Sequence, residues 1–185
     1  MKRSEDVGEA GAHDYLKKVT GKDDLDMITP SKTNPLPAGK YGTKPGEPWP
    51  NAVAFNGNNV ADVAFWDGKT LHVVEAKGNG STLTGGPMHG RVQKFDPNTG
   101  DPVPPANRPN DHRMDQGSTE YLKDVAANMK NSKPENATYD GRGEVGTSIW
   151  NALHKGDPPV KYVPVNTTVG PDGKAVVKVT PGYGE

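Results

Sequence analysis

The chain contains no cysteine. That excludes a disulfide scaffold, a cysteine-ligated zinc site and a cysteine nucleophile. Hydrophobic residues are scarce, 31% of 185. No apolar run approaches the ~20 residues of a membrane span. The opening MKRSEDVGEAG has no signal-peptide core, so passage across a membrane would be carried by something else. One-sided charge is missing too. There are 22 Lys and Arg against 23 Asp and Glu, a net charge of −1, balanced in both halves. No basic field advertises nucleic acid, and binding to it cannot be argued from net charge. No internal repeat and no second domain are visible, so residues 1–185 read as one domain.

Glycine (23) and proline (18) are abundant instead. Six prolines fall within Pro30–Pro50 and six within Pro87–Pro109. The stretches Thr29–Asn51 and Thr84–Asp111 therefore read as long loops. Both exceed the ~12–15 residues beyond which such loops are usually functional or disordered. The remaining segments are periodic. Ser4–Val19 reads as a helix with Glu9, Ala12, Leu16 and Val19 on one face and Gly21 as its stop. Val60–Lys77 holds two β-rich runs joined through Asp67-Gly68. Ser118–Lys130 and Glu144–Lys155 read as two more helices, and Val160–Val169 with Lys174–Thr180 as a closing hairpin. The order predicts an α+β or mixed α/β fold, a small central sheet with flanking helices.

The chemistry concentrates on the first hairpin. A two-residue turn at Asp67-Gly68 pairs Trp66 with Lys69 and sets Asp62 opposite Val73. Side chains alternate with period 2, so Asp62, Glu75 and Lys77 share a face. Asp62 and Glu75 become diagonal neighbours, roughly 7–8 Å apart at Cα. Two carboxylates at that spacing reach a common cation, and Mg²⁺ suits one or two carboxylates plus water. An isolated Glu-x-Lys is most often a solvated face. Here the flanking Val60, Ala64, Trp66, Leu71 and Val73 are apolar, and uncompensated charge on a covered sheet costs several kcal/mol per ion. A metal ion or the Lys77 charge would keep the carboxylates there.

Asp62 followed by Glu75-Ala76-Lys77 in a β-hairpin, after an N-terminal helix bearing a glutamate, resembles the PD-(D/E)xK nuclease superfamily, the restriction-endonuclease-like fold. No proline precedes Asp62, where Asn59-Val60-Ala61 stands. The wider set GEAGAHDYL, VADVAFWDGKTLHVVEAKG, QGSTEYLKDV and IWNALHKGDPPVKYVPV resembles nuclease tips of bacterial polymorphic toxins of the Rhs and contact-dependent-inhibition types. The resemblance implies that Asp62 and Glu75 bind a divalent metal, Mg²⁺ or Mn²⁺. It implies that Lys77 orients or stabilises the attacking water, and that Glu9 completes the metal shell, with Glu5 one turn earlier as its competitor. It further implies a metal-dependent nuclease, DNA favoured over RNA as substrate, and a cognate immunity protein. Such a domain is delivered by a secretion system and acts in the target-cell cytoplasm.

Weaker candidates surround this set. Some nucleases of the superfamily place a Gln four residues before a Tyr. Here Tyr121 follows Gln116 by five, and Gln116 reads equally as a turn residue. Arg91, Lys94, Arg108 and Arg113 could grip phosphates, although Asp96, Asp101, Asp111 and Asp115 are interleaved with them. Five histidines show no HExxH spacing, and Asp111-His112-Arg113 lacks a partner. Trp49, Trp66 and Trp150 read as packing residues, although Trp49, between two prolines, could instead be exposed, and Trp49 or Tyr41 is then a candidate anchor for an inhibitor. The competing function is a non-catalytic binding or adhesion domain of a surface or phage-like assembly, its Pro/Gly loops making the contacts.

Overall fold

The computed structural model describes residues 4–57, 60–78, 93–107, 114, 117–133, 135 and 139–180. The first helix, α1, spans Ser4–Thr20, with Glu5 and Asp6 in its first turn and Lys17 and Lys18 in its last, as the helix dipole favours. Its buried stripe is Val7, Gly8, Gly11, Ala12, Tyr15 and Leu16. This corrects the predicted inner face, since Val19 is exposed and Glu9 sits half-buried at the rim. Glycine is the reason for the shift. A Cβ at Gly8 would stand 3.0 Å from the Lys77 carbonyl carbon, and one at Gly11 only 1.7 Å from Thr167 Oγ1. With hydrogen in place of a side chain at both positions, the helix lies directly on the strand backbone.

That backbone belongs to a six-stranded mixed sheet ordered as in the chain: β1 Met27–Ile28, β2 Ala52–Ala54, β3 Val63–Trp66, β4 Leu71–Gly78, β5 Val160–Val169 and β6 Ala175–Val179. Strands β1 and β2 run parallel, as do β4 and β5, and the other neighbours are antiparallel. The fold is thus α+β, a small central sheet flanked by helices. The parallel β4–β5 pair needs a crossover, which carries α2 (Thr119–Lys130) and α3 (Arg142–Lys155). Ser118 caps α2, its side chain accepting the Tyr121 N–H, and Gly156 closes α3 in the left-handed conformation. Thr167 meets α1 on one face of the sheet. Pro164 and Tyr162, on the opposite face by alternation, meet Gly117 just before α2. The sheet therefore lies between α1 and the α2–α3 pair.

The hairpin register differs from the expectation. Trp66 pairs with Leu71, not Lys69, and Val63 with Val74. The turn is a four-residue loop, Asp67–Thr70, closed by the Asp67 N–H on the Thr70 carbonyl at 3.2 Å. Asp67 Oδ1 accepts the N–H groups of Lys69 and Thr70, both at 2.7 Å, so the aspartate builds its own wider turn. Its Oδ2 bonds buried His72 Nε2 at 2.8 Å, which accounts for a histidine among apolar neighbours.

The proline-rich stretch 29–51 is packed, not disordered. Leu36, Tyr41 and Trp49 are buried in the hydrophobic core. Trp49 meets Tyr41 edge-on at 5.4 Å. The α3 residue Glu144 accepts the N–H groups of Gly39 and Tyr41, and Ser148 donates to the Tyr41 carbonyl. The indoles of Trp49 and Trp66 donate to the carbonyls of Gly42 and Lys44. Tyr41 and Trp49 therefore cannot serve as exposed anchors for a partner. Of the second stretch, residues 93–107 are described. The buried carboxylate of Asp124 on α2 holds them by accepting the N–H groups of Lys94 and Phe95 at 2.8 Å.

Candidate functional site

Strand β3 begins only at Val63, one residue after Asp62, while β4 continues to Gly78. Beyond the Val63–Val74 pair, β4 has lost its neighbour on that side. The Ala76 N–H, freed from the ladder, donates to Asp62 Oδ2 at 2.8 Å. An aspartate side chain thus replaces a strand at the point where the sheet opens. The register, continued by one residue, sets Asp62 opposite Glu75. Lys77 reaches back along β4 and donates to Glu75 Oε1 at 2.7 Å, with its Nζ 3.6 Å from Asp62 Oδ2. The structure brings Asp62, Glu75 and Lys77 into one cluster.

The cluster borders a cavity of about 360 Å³ at the open end of the sheet. Asp62 and Lys77 line it together with Glu5 and Glu9 of α1 and Phe55–Gly57 of the β2–β3 connection. The close seating of α1 puts both glutamates here. Besides Gly8 and Gly11, it requires Gly78, where a Cβ would stand 1.8 Å from the Ser4 carbonyl oxygen. The Ser4 hydroxyl donates to the Gly78 carbonyl and pins the helix start to the strand. Glu5 and Glu9 both remain in place as rivals.

Glu75 is 3% exposed and does not line the cavity. Its Oε2 accepts from the buried Tyr162 hydroxyl at 3.4 Å, and that hydroxyl in turn accepts the Gly117 N–H. Tyr162 escaped the sequence reading. Its signal was alternation along β5, which puts it beside Val73 on the Glu75 face.

The electrostatics show negative charge in surplus. Burial, and secondarily Asp62, pushes the Glu75 carboxyl up to about 7, against Lys77 and Tyr162. Burial also raises Asp62, outweighing the Lys77 charge and the Ala76 N–H. Glu9 is raised by burial and then by Asp6, Asp62 and Glu5. Lys77 moves the other way in charge. Burial acts to lower it, but Glu75 and Asp62 prevail and hold its proton more tightly than usual. The shifts agree physically, because one ammonium serves two carboxylates: it stays charged and one carboxylate is left over.

This surplus fits a hard divalent cation. Asp62 and Glu9 offer carboxylate oxygens to the cavity, and Asp62 Oδ1 accepts no hydrogen bond among the described residues. Mg²⁺ needs only one or two carboxylates plus water. Among the described residues no group of three or more His, Asp or Glu is gathered closely enough to hold a metal by itself. Glu75 would join such a set only by exchanging its bond to Lys77 for the metal.

The weaker candidates fare differently. Gln116 and Arg91 lie outside the described residues, as do Arg108, Asp111–Arg113, Asp115 and His89. Lys94 does not line the cavity, and its N–H is used to fasten the 93–107 segment to α2. His13 bonds the Leu25 carbonyl. His154 bonds the Trp150 and Pro97 carbonyls and stacks on Trp150. Both therefore have structural partners, like His72. No helix of the described residues is long and apolar enough to cross a membrane. Comparison of the chain with family models, curated proteins and solved structures gave no match.

Proposed function

We propose that the chain is a metal-dependent nuclease of PD-(D/E)xK type, hydrolysing phosphodiester bonds in nucleic acid, with DNA favoured. The observation that carries the reading is the convergence of Asp62, Glu75 and Lys77 at the broken edge of β3, with Lys77 Nζ 2.7 Å from Glu75 and 3.6 Å from Asp62, beside a cavity that Glu9 also lines. A divalent cation held there by Asp62 and Glu9 would neutralise charge on the phosphate and acidify a bound water. Lys77 is held protonated, so it acts as a fixed positive charge toward the phosphate oxygens and not as a base. Glu75, buried behind it and braced by Tyr162, fixes the Lys77 amine in position. The resemblance to toxin tips extends the proposal to an interbacterial effector, delivered into a target-cell cytoplasm and neutralised in the producer by an immunity protein.

Purified protein is incubated with plasmid DNA and with total RNA, in Mg²⁺ and in excess EDTA. Cleavage is expected in Mg²⁺, its loss in EDTA, and its loss in Asp62→Ala. Cleavage that persists in EDTA, or undiminished in folded Asp62→Ala, contradicts the mechanism. Absence of cleavage on both substrates favours the binding-module reading. For the toxin role, the wild type is expressed in a bacterial cytoplasm with and without the neighbouring open reading frame. Harm is expected only when it is alone, and none from Asp62→Ala.

A further inference from the structure

The β5–β6 hairpin is the most exposed part of the sheet. Every residue of β6 is exposed, and Val176 is 59% exposed. The register ties this hairpin to the site. Lys77 on β4 pairs with Asn166 on β5, and Asn166 pairs with Lys178 on β6. Paired residues share a face, so Lys77, Asn166 and Lys178 form one row on the Glu75 side. Strands lie ~4.8 Å apart, which puts Lys178 ~10 Å from Lys77 at Cα. Lys174 stands one residue before β6, its carbonyl accepting the Gly170 N–H, and alternation continued by that residue puts it on the same face as Val176 and Lys178. Between the lysines stands Asn166, whose side chain makes no hydrogen bond among the described residues and whose Oδ1 is buried without a partner.

We propose that this face of the β5–β6 hairpin is the track along which the substrate's sugar-phosphate backbone enters the site, with Lys178 and Lys174 contacting phosphates beside the scissile one and Asn166 bridging the row to Lys77. The inference rests on the nuclease reading and adds a binding surface to it. Three arguments support it. Among the described residues the cavity carries Glu5, Glu9 and Asp62 against the one cation Lys77, so positive charge supplied alongside favours a polyanion there. Neither hairpin lysine has an ion-pair partner among the described residues, so both charges are available. Exposed Val176 between them gives sugars and bases an apolar surface in an otherwise cationic strip.

The test is the double variant Lys174→Glu/Lys178→Glu beside Lys161→Glu. Lys161 is also exposed and undergoes the same Lys→Glu change at a single position, so it is compared per substitution, but it pairs with His72 on the opposite face of the sheet. Binding of a fluorescein-labelled oligodeoxynucleotide is followed by anisotropy in EDTA across a salt series, and cleavage by initial rates in Mg²⁺. The double variant should raise KM about tenfold or more with kcat within about twofold, and should flatten the salt slope of binding by roughly 1–2. Lys161→Glu should change neither. Lys174→Gln/Lys178→Gln, which adds no negative charge, should show the same direction at smaller size and covers a failure of the Glu variant to fold. A double variant with wild-type KM and salt slope overturns the track while leaving the nuclease reading intact. So does a weakening by Lys161→Glu of half or more of the double variant's effect on a logarithmic scale, which would mean bulk charge alone. A wild type that neither binds nor cleaves overturns both.

Discussion

The β3–β4 hairpin has an aspartate at each end, and the two behave oppositely. At the turn, Asp67 accepts the N–H groups of Lys69 and Thr70 and bonds His72. Burial alone would raise its carboxyl, but the hydrogen bonds from His72, Thr70 and Lys69 win and hold it below the ordinary value. At the open end, Asp62 also has a backbone donor, Ala76, and a nearby cation, Lys77, yet it is raised. The difference is stoichiometric. Asp67 is the one acid among donors, whereas Asp62 shares a single ammonium with Glu75 and faces Glu9 and Glu5 across the cavity. A satisfied charge closes a turn. Surplus charge at a gap in a sheet leaves room for a ligand cation.

The comparison breaks most sharply in activity. On the proposed nuclease reading, Lys77→Ala should lower kcat/KM by about 10²–10³ with the fold intact, the usual cost of losing one electrostatic stabiliser. Asp67→Ala, at the other end of the same hairpin, should stay close to wild type. Equal losses in the two purified, folded variants would show that the hairpin matters only as structure.

The next effect is in stability against pH. Glu75 is raised above its unfolded value, so its contribution is fully present below about 4.5 and is lost as pH rises through about 7. Metal-free wild type should therefore lose stability across that window. Glu75→Gln, carrying no charge, should be more stable than wild type at pH 8 and show little advantage at pH 4.5. Denaturant melts in EDTA at both pH values check this. A variant less stable at pH 8 would mean that the Lys77 bond outweighs the surplus charge.

The smallest effect has the opposite sign. Asp67 is lowered, so its contribution is present above its unfolded value and fades as pH falls through the folded one. Asp67→Ala should cost about 1–2 kcal/mol at neutral pH through the lost hydrogen bonds, and less in acid. Denaturant melts of this variant at pH 7 and pH 3 give the measurement. A cost that does not shrink in acid would assign it to lost packing.

Period and punctuation carried much of the fold. The three helices and the β3–β4 and β5–β6 hairpins were legible because each rests on local spacing. The hairpin register was misplaced by two residues, since Asp67 builds a four-residue loop. An even shift returns every side chain to its predicted face, which is why Asp62, Glu75 and Lys77 still converge. The inner stripe of α1 was misread because glycines at 8 and 11 have no hydropathy signal, although they decide how close the helix comes.

Sequence by itself determined which residue types were available for chemistry and which alternated onto one face, because a strand's period is a local property of the backbone. Tertiary structure decided the rest. It packed residues 29–51 through α3 side chains more than 100 positions away, and began β3 only after Asp62, whose side chain takes over a ladder bond. It braced Glu75 with Tyr162, and set Lys178 in the row of Lys77 across a strand that arrives only after two intervening helices. Such contacts depend on close approach between distant segments, and the free energy that selects them arises only when those segments share one core.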